Sequence, residues 1–346
     1  MTPPDGADEP PASDGSHTID GSPAAGGSST ADGPSGNDAS GTDAAMRGPP
    51  AERTAAERLA FGVVNLDKPP GPSAHQVAGW VRDLAGVDRV AHAGTLDPTV
   101  TGCLPILLGA ATRLAPASLE GHKEYVAVLE LHAPVPADLG AVLDAFEGPI
   151  HQKPPRKSAV ARELRVREIH ALDAIEAESR RALLRIRCES GTYVRKLCHD
   201  LGLALGTGAH MGDLRRTGTE PFDDTDLVTC HDLADALAFA AAGDPGPLAA
   251  AVGPAERALA HLPRVTIAGS AAREVAHGAP VYAPGVLGVE GVAAPMEDVA
   301  AGTGGAADEP LVACYTPDGA VVCLGRLVGD PGAERGTVVD LERVLV

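Results

Sequence analysis

The chain has 346 residues, more than one ordinary hydrophobic core holds, so two domains and a tail are expected. Apolar residues make up 44% and aromatic residues only 3%, which is enough for a sizeable core. The formal net charge of -19 argues against binding to polyanions unless basic residues are concentrated locally. This acidic, lysine-poor composition is typical of proteins adapted to high salt.

The basic residues are concentrated in one segment. Lys153–Lys196 contains 12 basic and 6 acidic residues, a local balance of +6. Such a stretch is either a solvated basic face or a nucleic-acid contact. Because it stands out in an otherwise acidic chain, the pattern favours nucleic-acid contact.

The cysteines and the hydropathy exclude several classes of protein. Six cysteines occur without a CxxC pair, so neither a zinc site nor a disulfide framework is predicted. The sequence has no run of about 18 apolar residues that predicts a membrane span, and no signal peptide is recognisable. We therefore expect a cytoplasmic protein without a metal centre or membrane contact.

The predicted elements begin after a tail. Residues 1–46 are rich in Gly, Ser, Asp, Pro, Ala and Thr, which predicts a disordered acidic tail. Residues 47–242 combine helical and alternating patterns, for example a strand over Phe61–Leu66, a helix over Ala74–Leu84 and a strand over Glu124–His132. Because these do not alternate strictly, we expect an α+β fold with a mixed sheet.

The C-terminal part has a different texture. Residues 243–260 are rich in Pro, Gly and Ala and predict a linker. Residues 261–346 contain short strands and glycine turns, which predict a small β-barrel-like domain. In it, Thr316–Gly319 is predicted to join Leu311–Tyr315 and Val321–Val328 as a hairpin. A polar, glycine-rich insertion is expected at about 297–310.

One acidic residue of the first predicted domain, Asp97, stands in a sequence context that points to chemistry. Asp97 lies between a glycine-containing turn and Pro98. Taken alone, an Asp-Pro pair is usually a structural turn. Six ordered blocks around it change this interpretation: Leu66–Pro72 followed by His75, His92–Pro105, Lys123–Tyr125, Lys153–Val160, Gly191–Arg195 and Gly208–Thr217.

In their order and spacing these blocks resemble the TruB/dyskerin family of pseudouridine synthases, in particular its archaeal branch from box H/ACA ribonucleoproteins. The resemblance covers about residues 61–230. Around His277–Val286 the chain resembles the RNA-binding PUA domain that follows in this family. The resemblance implies a catalytic domain over 47–242 and a PUA domain over 261–346.

The resemblance also assigns site residues. It implies that Asp97 is the catalytic carboxylate and that Arg195 is the cation that keeps it ionised. Tyr125 would stack on the target base, and His92 would lie beside the flipped nucleotide. Lys68 would contact RNA or brace the loop of Asp97.

The implied reaction moves the bond of C1′ from N1 of uracil to C5 without net redox change, so no cofactor is expected. An extruded base and a carboxylate near C1′ and C6 are the requirements. Whether the carboxylate attacks C1′, attacks C6 or abstracts a sugar proton stays open. The basic segment Gln152–Arg167 resembles the mobile thumb loop of the family, which closes over RNA.

The expected partners are RNA and proteins. The resemblance implies H/ACA guide RNA, ribosomal RNA, possible tRNA substrates and small protein subunits of the H/ACA particle. A stand-alone tRNA T-loop synthase and a non-catalytic RNA-binding scaffold are the alternatives. The scaffold is disfavoured because it would need neither Asp97, Tyr125 nor Arg195.

Overall fold

The computed structural model describes residues 46–154, 162–291 and 309–346, all within one compact unit, Asp43–Val346. The predicted tail up to residue 45, the middle of the thumb loop and most of the predicted insertion lie outside the described residues. None of the described helices is long and apolar enough to cross a membrane.

The helices that follow Ser73 and Thr229 begin at polar caps. Ser73 and Thr229 each form a capping box with the residue three positions on, which satisfies the free N–H groups at the start of the helix. The second helix ends at Gly86 with φ of 63°, the left-handed conformation that favours glycine. The helices are α1 (Ala55–Ala60), α2 (Ala74–Ala85), α3 (Ala115–Glu120), α4 (Leu139–Ala145), α5 (Val194–Ala204), α6 (Cys230–Ala241), α7 (Gly246–Ala251) and α8 (Gly269–Ala276).

Ten strands form the first sheet, in the order β10-β1-β3-β8-β4-β7-β6-β5, with β2 beside β3 and β9 beside β8. Most pairs are antiparallel, but β3 and β8 are parallel, so the sheet is mixed as predicted. The strands are β1 (Phe61–Lys68), β2 (Val90–His92), β3 (Thr101–Gly109), β4 (Lys123–Leu131), β5 (Gly148–Gln152), β6 (Arg165–Glu178), β7 (Arg181–Cys188), β8 (Ala209–Thr219), β9 (Phe222–Asp223) and β10 (Gly253–Pro254).

The second sheet contains six strands in the order β12-β16-β15-β14-β11-β13, and we call it the C-terminal sheet. Its hairpin β14–β15 confirms the predicted turn, in which Gly319 has φ of 89°. The strands are β11 (Arg264–Ile267), β12 (Val281–Tyr282), β13 (Val286–Glu290), β14 (Leu311–Tyr315), β15 (Val321–Leu327) and β16 (Thr337–Val344).

Two hydrophobic clusters hold the first sheet. One packs β1, β3, β4 and β7 against α2, α5 and α6. The other lies against different residues of β1 and β3, among them Phe61 and Leu107, and includes Val321 and Leu324 of the C-terminal sheet. The two sheets therefore share one apolar cluster, and burial of this shared surface favours a fixed arrangement.

The segment 243–260, predicted as a linker, contains regular structure. It contains α7, then β10, which pairs with β1, and then a 3-10 turn at Ala255–Leu259. Small residues allow this close packing: a Cβ on Gly62 would lie 2.9 Å from the carbonyl oxygen of Gly253. Composition alone cannot distinguish a flexible Pro/Gly/Ala linker from a segment packed closely on a sheet.

A buried ion pair connects three parts of the chain. The Arg53 guanidinium donates to both carboxylate oxygens of Glu256, at 2.8 and 2.6 Å, and to the Gly48 carbonyl at 3.2 Å. Glu256 also accepts a hydrogen bond of 3.2 Å from the Val321 amide in β15. The side chains are only 2% and 10% exposed. The pair thus links the N-terminal segment, the 3-10 turn and the C-terminal sheet.

We expect Glu256→Gln to lower the free energy of unfolding by about 3 kcal/mol, because it leaves the Arg53 cation buried without its counter-charge. Urea denaturation measures this change. The matched control is Asp83→Asn, which breaks an exposed ion pair with Arg82 and should cost less than about 1 kcal/mol. Equal losses in the two variants would contradict the prediction.

Candidate active site

Asp97 lies on the connection between β2 and β3, residues 93–100, which we call the Asp97 loop. Leu96 and Val100 anchor the loop in the core, and the Asp97 carbonyl accepts a hydrogen bond of 3.0 Å from the Val100 amide. Between these anchors the Asp97 carboxylate projects outward, with its side chain 49% exposed. Residues on either side of Asp97 are thus buried, while its carboxylate is accessible to solvent.

Lys68, at the end of β1, lies beneath this loop and is fully buried. Its ammonium donates to the carbonyls of Pro69, Pro98 and Val100 at 2.9, 2.9 and 2.8 Å. These three bonds use all of its N–H groups. Burial lowers the pKa of Lys68. Of the two predicted roles, bracing the loop matches this position, since no face of the ammonium is open to RNA.

Arg195 is the second residue of α5 and forms an ion pair with Asp97. Its side chain is 53% exposed, so the pair faces solvent. The start of α5 is fixed by Gln152 at the end of β5, which accepts from the Tyr193 amide at 2.9 Å and donates to the Tyr193 carbonyl at 3.2 Å. The base of the thumb loop and the partner of Asp97 are therefore held by the same side chain.

Tyr125 lies on the inward face of β4 and is 8% exposed. Burial raises the pKa of Tyr125, while the charge of Arg216 and a hydrogen bond with it act in the opposite direction. The phenol stays neutral at physiological pH. With only 8% of the residue exposed, little of the ring is open to a ligand in this conformation.

His92 ends β2 and is half-buried. Its Nδ1 has no hydrogen-bond partner among the described residues. Burial, followed by the charges of Arg216 and His75, lowers the pKa of His92, so the imidazole is neutral at pH 7. This nitrogen is buried as well as unpartnered, so it is not open to a ligand in this conformation.

Two buried cations near Tyr125 have no role in the sequence-based predictions. Arg216 is 1% exposed, and its Nε donates to the Cys103 carbonyl at 2.7 Å. Lys123 is 3% exposed and donates to the Gly121 carbonyl at 2.8 Å. A signal for Arg216 was available: Arg215 and Arg216 are adjacent on a strand, so one of them must point inward.

The thumb loop connects β5 to β6, and its residues 155–161 lie outside the described residues. At the far end, Arg167 forms an ion pair of 3.0 Å with Glu189. Among the described residues, no group of three or more His, Cys, Asp or Glu side chains could hold a metal ion. The predicted site residues thus include an ion-paired carboxylate, a buried phenol and a neutral imidazole.

Three family models match the chain. Residues 82–138 match the N-terminal domain of the TruB family of pseudouridylate synthases. Residues 195–260 match the C-terminal domain of tRNA pseudouridylate synthase B, and residues 38–78 match the DKCLD domain. The first two matches include Asp97, Tyr125 and Arg195.

Similar proteins span nearly the same length. A probable tRNA pseudouridine synthase B from Halobacterium salinarum is 64% identical, covering 87% of this chain and 99% of that protein. One from Haloarcula marismortui is 62% identical, over 89% and 96%. Among solved structures, a Cbf5-Nop10-Gar1 complex contains a chain with 40% identity and a TM-score of 0.78, covering 88% of this chain and 91% of that one.

An H/ACA ribonucleoprotein bound to a substrate RNA containing 2'-deoxyuridine contains a similar chain, with 38% identity and a TM-score of 0.77 over 88% of this chain and 91% of that one. The chain therefore belongs to the TruB family and is an RNA pseudouridine synthase. This confirms the family and the enzyme class predicted from the sequence.

Lys123 should make stability depend on pH. Burial, reinforced by Arg216, lowers the pKa of Lys123 to about 8. Between about pH 8 and about pH 10.4 the unfolded chain holds this proton and the folded chain does not, so unfolding becomes less favourable as pH rises. Relative to Lys123→Met, the wild-type protein should gain about 2 kcal/mol between pH 8 and pH 10.

Urea denaturation at both pH values tests this difference. Leu129→Met, on the same face of β4, removes no titratable group and should keep the wild-type pH dependence. A Lys123→Met variant with the same pH dependence as the wild-type protein would show that Lys123 is not responsible.

Proposed function

We propose that this enzyme isomerises uridine using the Asp97 carboxylate. The observation that carries the assignment is the exposed, ion-paired carboxylate of Asp97 at the tip of a buried loop, close to the start of α5. In the reaction the C1′–N1 bond breaks and N1 gains a proton, while the C1′–C5 bond forms and C5 loses its proton. Atoms and electrons balance without a co-reactant.

The other site residues have supporting roles in this proposal. Arg195 forms the ion pair with Asp97 and orients its carboxylate. Tyr125 stacks on the extruded base in this proposal, and such stacking is typically worth about 1–3 kcal/mol. His92 lies beside the flipped nucleotide as a neutral imidazole, and Lys68 fixes the Asp97 loop from below.

We further propose that guide RNA directs the reaction to ribosomal RNA in an H/ACA particle with small protein subunits. In support, the two similar solved chains come from a Cbf5-Nop10-Gar1 complex and an RNA-bound H/ACA particle. In this proposal the C-terminal sheet is a PUA domain that binds RNA. The relatives named tRNA pseudouridine synthase B favour the alternative, a stand-alone enzyme acting on tRNA.

The proposed place of action is the cytoplasm. All six cysteines lie in the described part of the chain, and each is a free thiol. Five of them are buried, and burial raises the pKa of Cys103, Cys188 and Cys198 to about 12. Unreactive reduced thiols are compatible with a reducing compartment.

We expect Asp97→Asn to lower the single-turnover rate by at least about 1,000-fold, because the amide can act neither as nucleophile nor as base. Asparagine has nearly the same shape, so RNA affinity should change less than about three-fold. Asp83→Asn on α2 is the control and should keep wild-type activity. Substantial turnover by Asp97→Asn would contradict the assignment of the carboxylate.

The guided and stand-alone forms differ in what they need. We expect no modification of a ribosomal RNA fragment by the enzyme alone, and full modification when a matched guide RNA and the partner proteins are added. A mismatched guide RNA is the control. Efficient modification of the ribosomal fragment without a guide would refute the guided proposal, while Asp97→Asn would still test the site itself.

A further inference from the structure

Arg216 is a buried arginine that contacts two walls of the active site. Its Nε donates to the carbonyl of Cys103 in β3 at 2.7 Å, and one terminal nitrogen donates to the carbonyl of Gly94 in the Asp97 loop at 3.3 Å. It also lies directly opposite Tyr125 in the pairing of β8 with β4, and its charge acts on the phenol. One side chain therefore reaches the start of β3, the Asp97 loop and the aromatic residue.

The loop approaches this guanidinium through a glycine. Gly94 has φ of 101°, and a Cβ built there would lie 3.0 Å from Nη1 of Arg216. A side chain at this position would have to displace the guanidinium or the loop. The close approach thus depends on the residue type on both sides of the contact.

The contacts of Arg216 include no counter-charge. Among the described residues no carboxylate forms an ion pair with it; its hydrogen-bond partners are two backbone carbonyls. A buried cation without a partner charge contributes little to stability and often costs free energy. Its planar fork of donors, however, binds acceptors in fixed directions, which an ammonium cannot do.

We infer that Arg216 is a positioning residue that holds the Asp97 loop and Tyr125 in one fixed relation, so that the carboxylate and the bound base meet in reactive geometry. This inference rests on the proposed roles of Asp97 and Tyr125. Arg216 lies behind both and does not touch the substrate itself. Small displacements matter here, because a misplacement of about 1 Å can cost about 100-fold in rate.

Arg216→Lys keeps the charge and removes the fork of donors. At saturating RNA we expect the single-turnover rate to fall at least about ten-fold, with RNA affinity within about three-fold, because positioning affects the reaction step. The matched control is Arg215→Lys, the next residue along β8, which pairs with Asp67 at 2.9 Å and should retain turnover within about two-fold.

Gly94→Ala tests the same contact from the loop side, and serves if Arg216→Lys does not fold. The added Cβ should displace the guanidinium and again lower the rate at saturating RNA. Gly243→Ala is its control, since Gly243 has nearly the same φ, 97°, but a Cβ there meets nothing within 4 Å. Both variants carry the backbone strain, and only Gly94→Ala should lose turnover.

A purely structural role would lower the midpoint of unfolding while leaving the rate of the folded enzyme unchanged. Unfolding is therefore measured for each variant, and rates are compared where every variant is folded. Wild-type rates in folded Arg216→Lys and Gly94→Ala, with Asp97→Asn inactive, would overturn this inference and leave the proposed site intact. An active Asp97→Asn would instead refute the proposed function.

Discussion

The ammonium of Lys68 is the interaction on which the rest of the site depends. It lies at the end of β1 and donates to three backbone carbonyls. Two of these belong to Pro98 and Val100, in the same loop as Asp97. A loop between two strands would otherwise leave these carbonyls buried without partners, at about 1–3 kcal/mol each. Because these bonds join the backbone of the Asp97 loop to a side chain of β1, they hold the carboxylate in a fixed position relative to the sheet.

Around this brace the structure separates two kinds of charged group. Asp97 and Arg195 form an accessible pair, whereas Lys68, Lys123 and Arg216 are buried cations bonded mainly to backbone oxygen atoms. The first group is available for chemistry and RNA contact. The second fixes strands and loops from within. The enzyme has a net charge of -19, yet these three basic side chains lie in its interior.

The elements β1, β4 and α2 and the hairpin β14–β15 lie close to their predicted bounds. Such elements can be predicted because alternation and helical spacing are properties of one short segment of sequence. The ten-stranded order could not be predicted, since pairs such as β3 with β8 join residues more than 100 positions apart. Asp97 and Arg195 were brought together only by resemblance. Arg216 was overlooked because a buried arginine contradicts the usual exposure of its residue type.

The half-exposed Asp97–Arg195 pair and the enclosed Lys68 brace respond differently to the solvent. At molar salt, charges at the surface are screened over about 3 Å, whereas bonds sealed inside the protein are affected far less. Ionic strength therefore weakens the grip of Arg195 on the carboxylate without moving the loop that carries it. The carboxylate can then separate from Arg195 more readily, while the backbone of its loop keeps the same position.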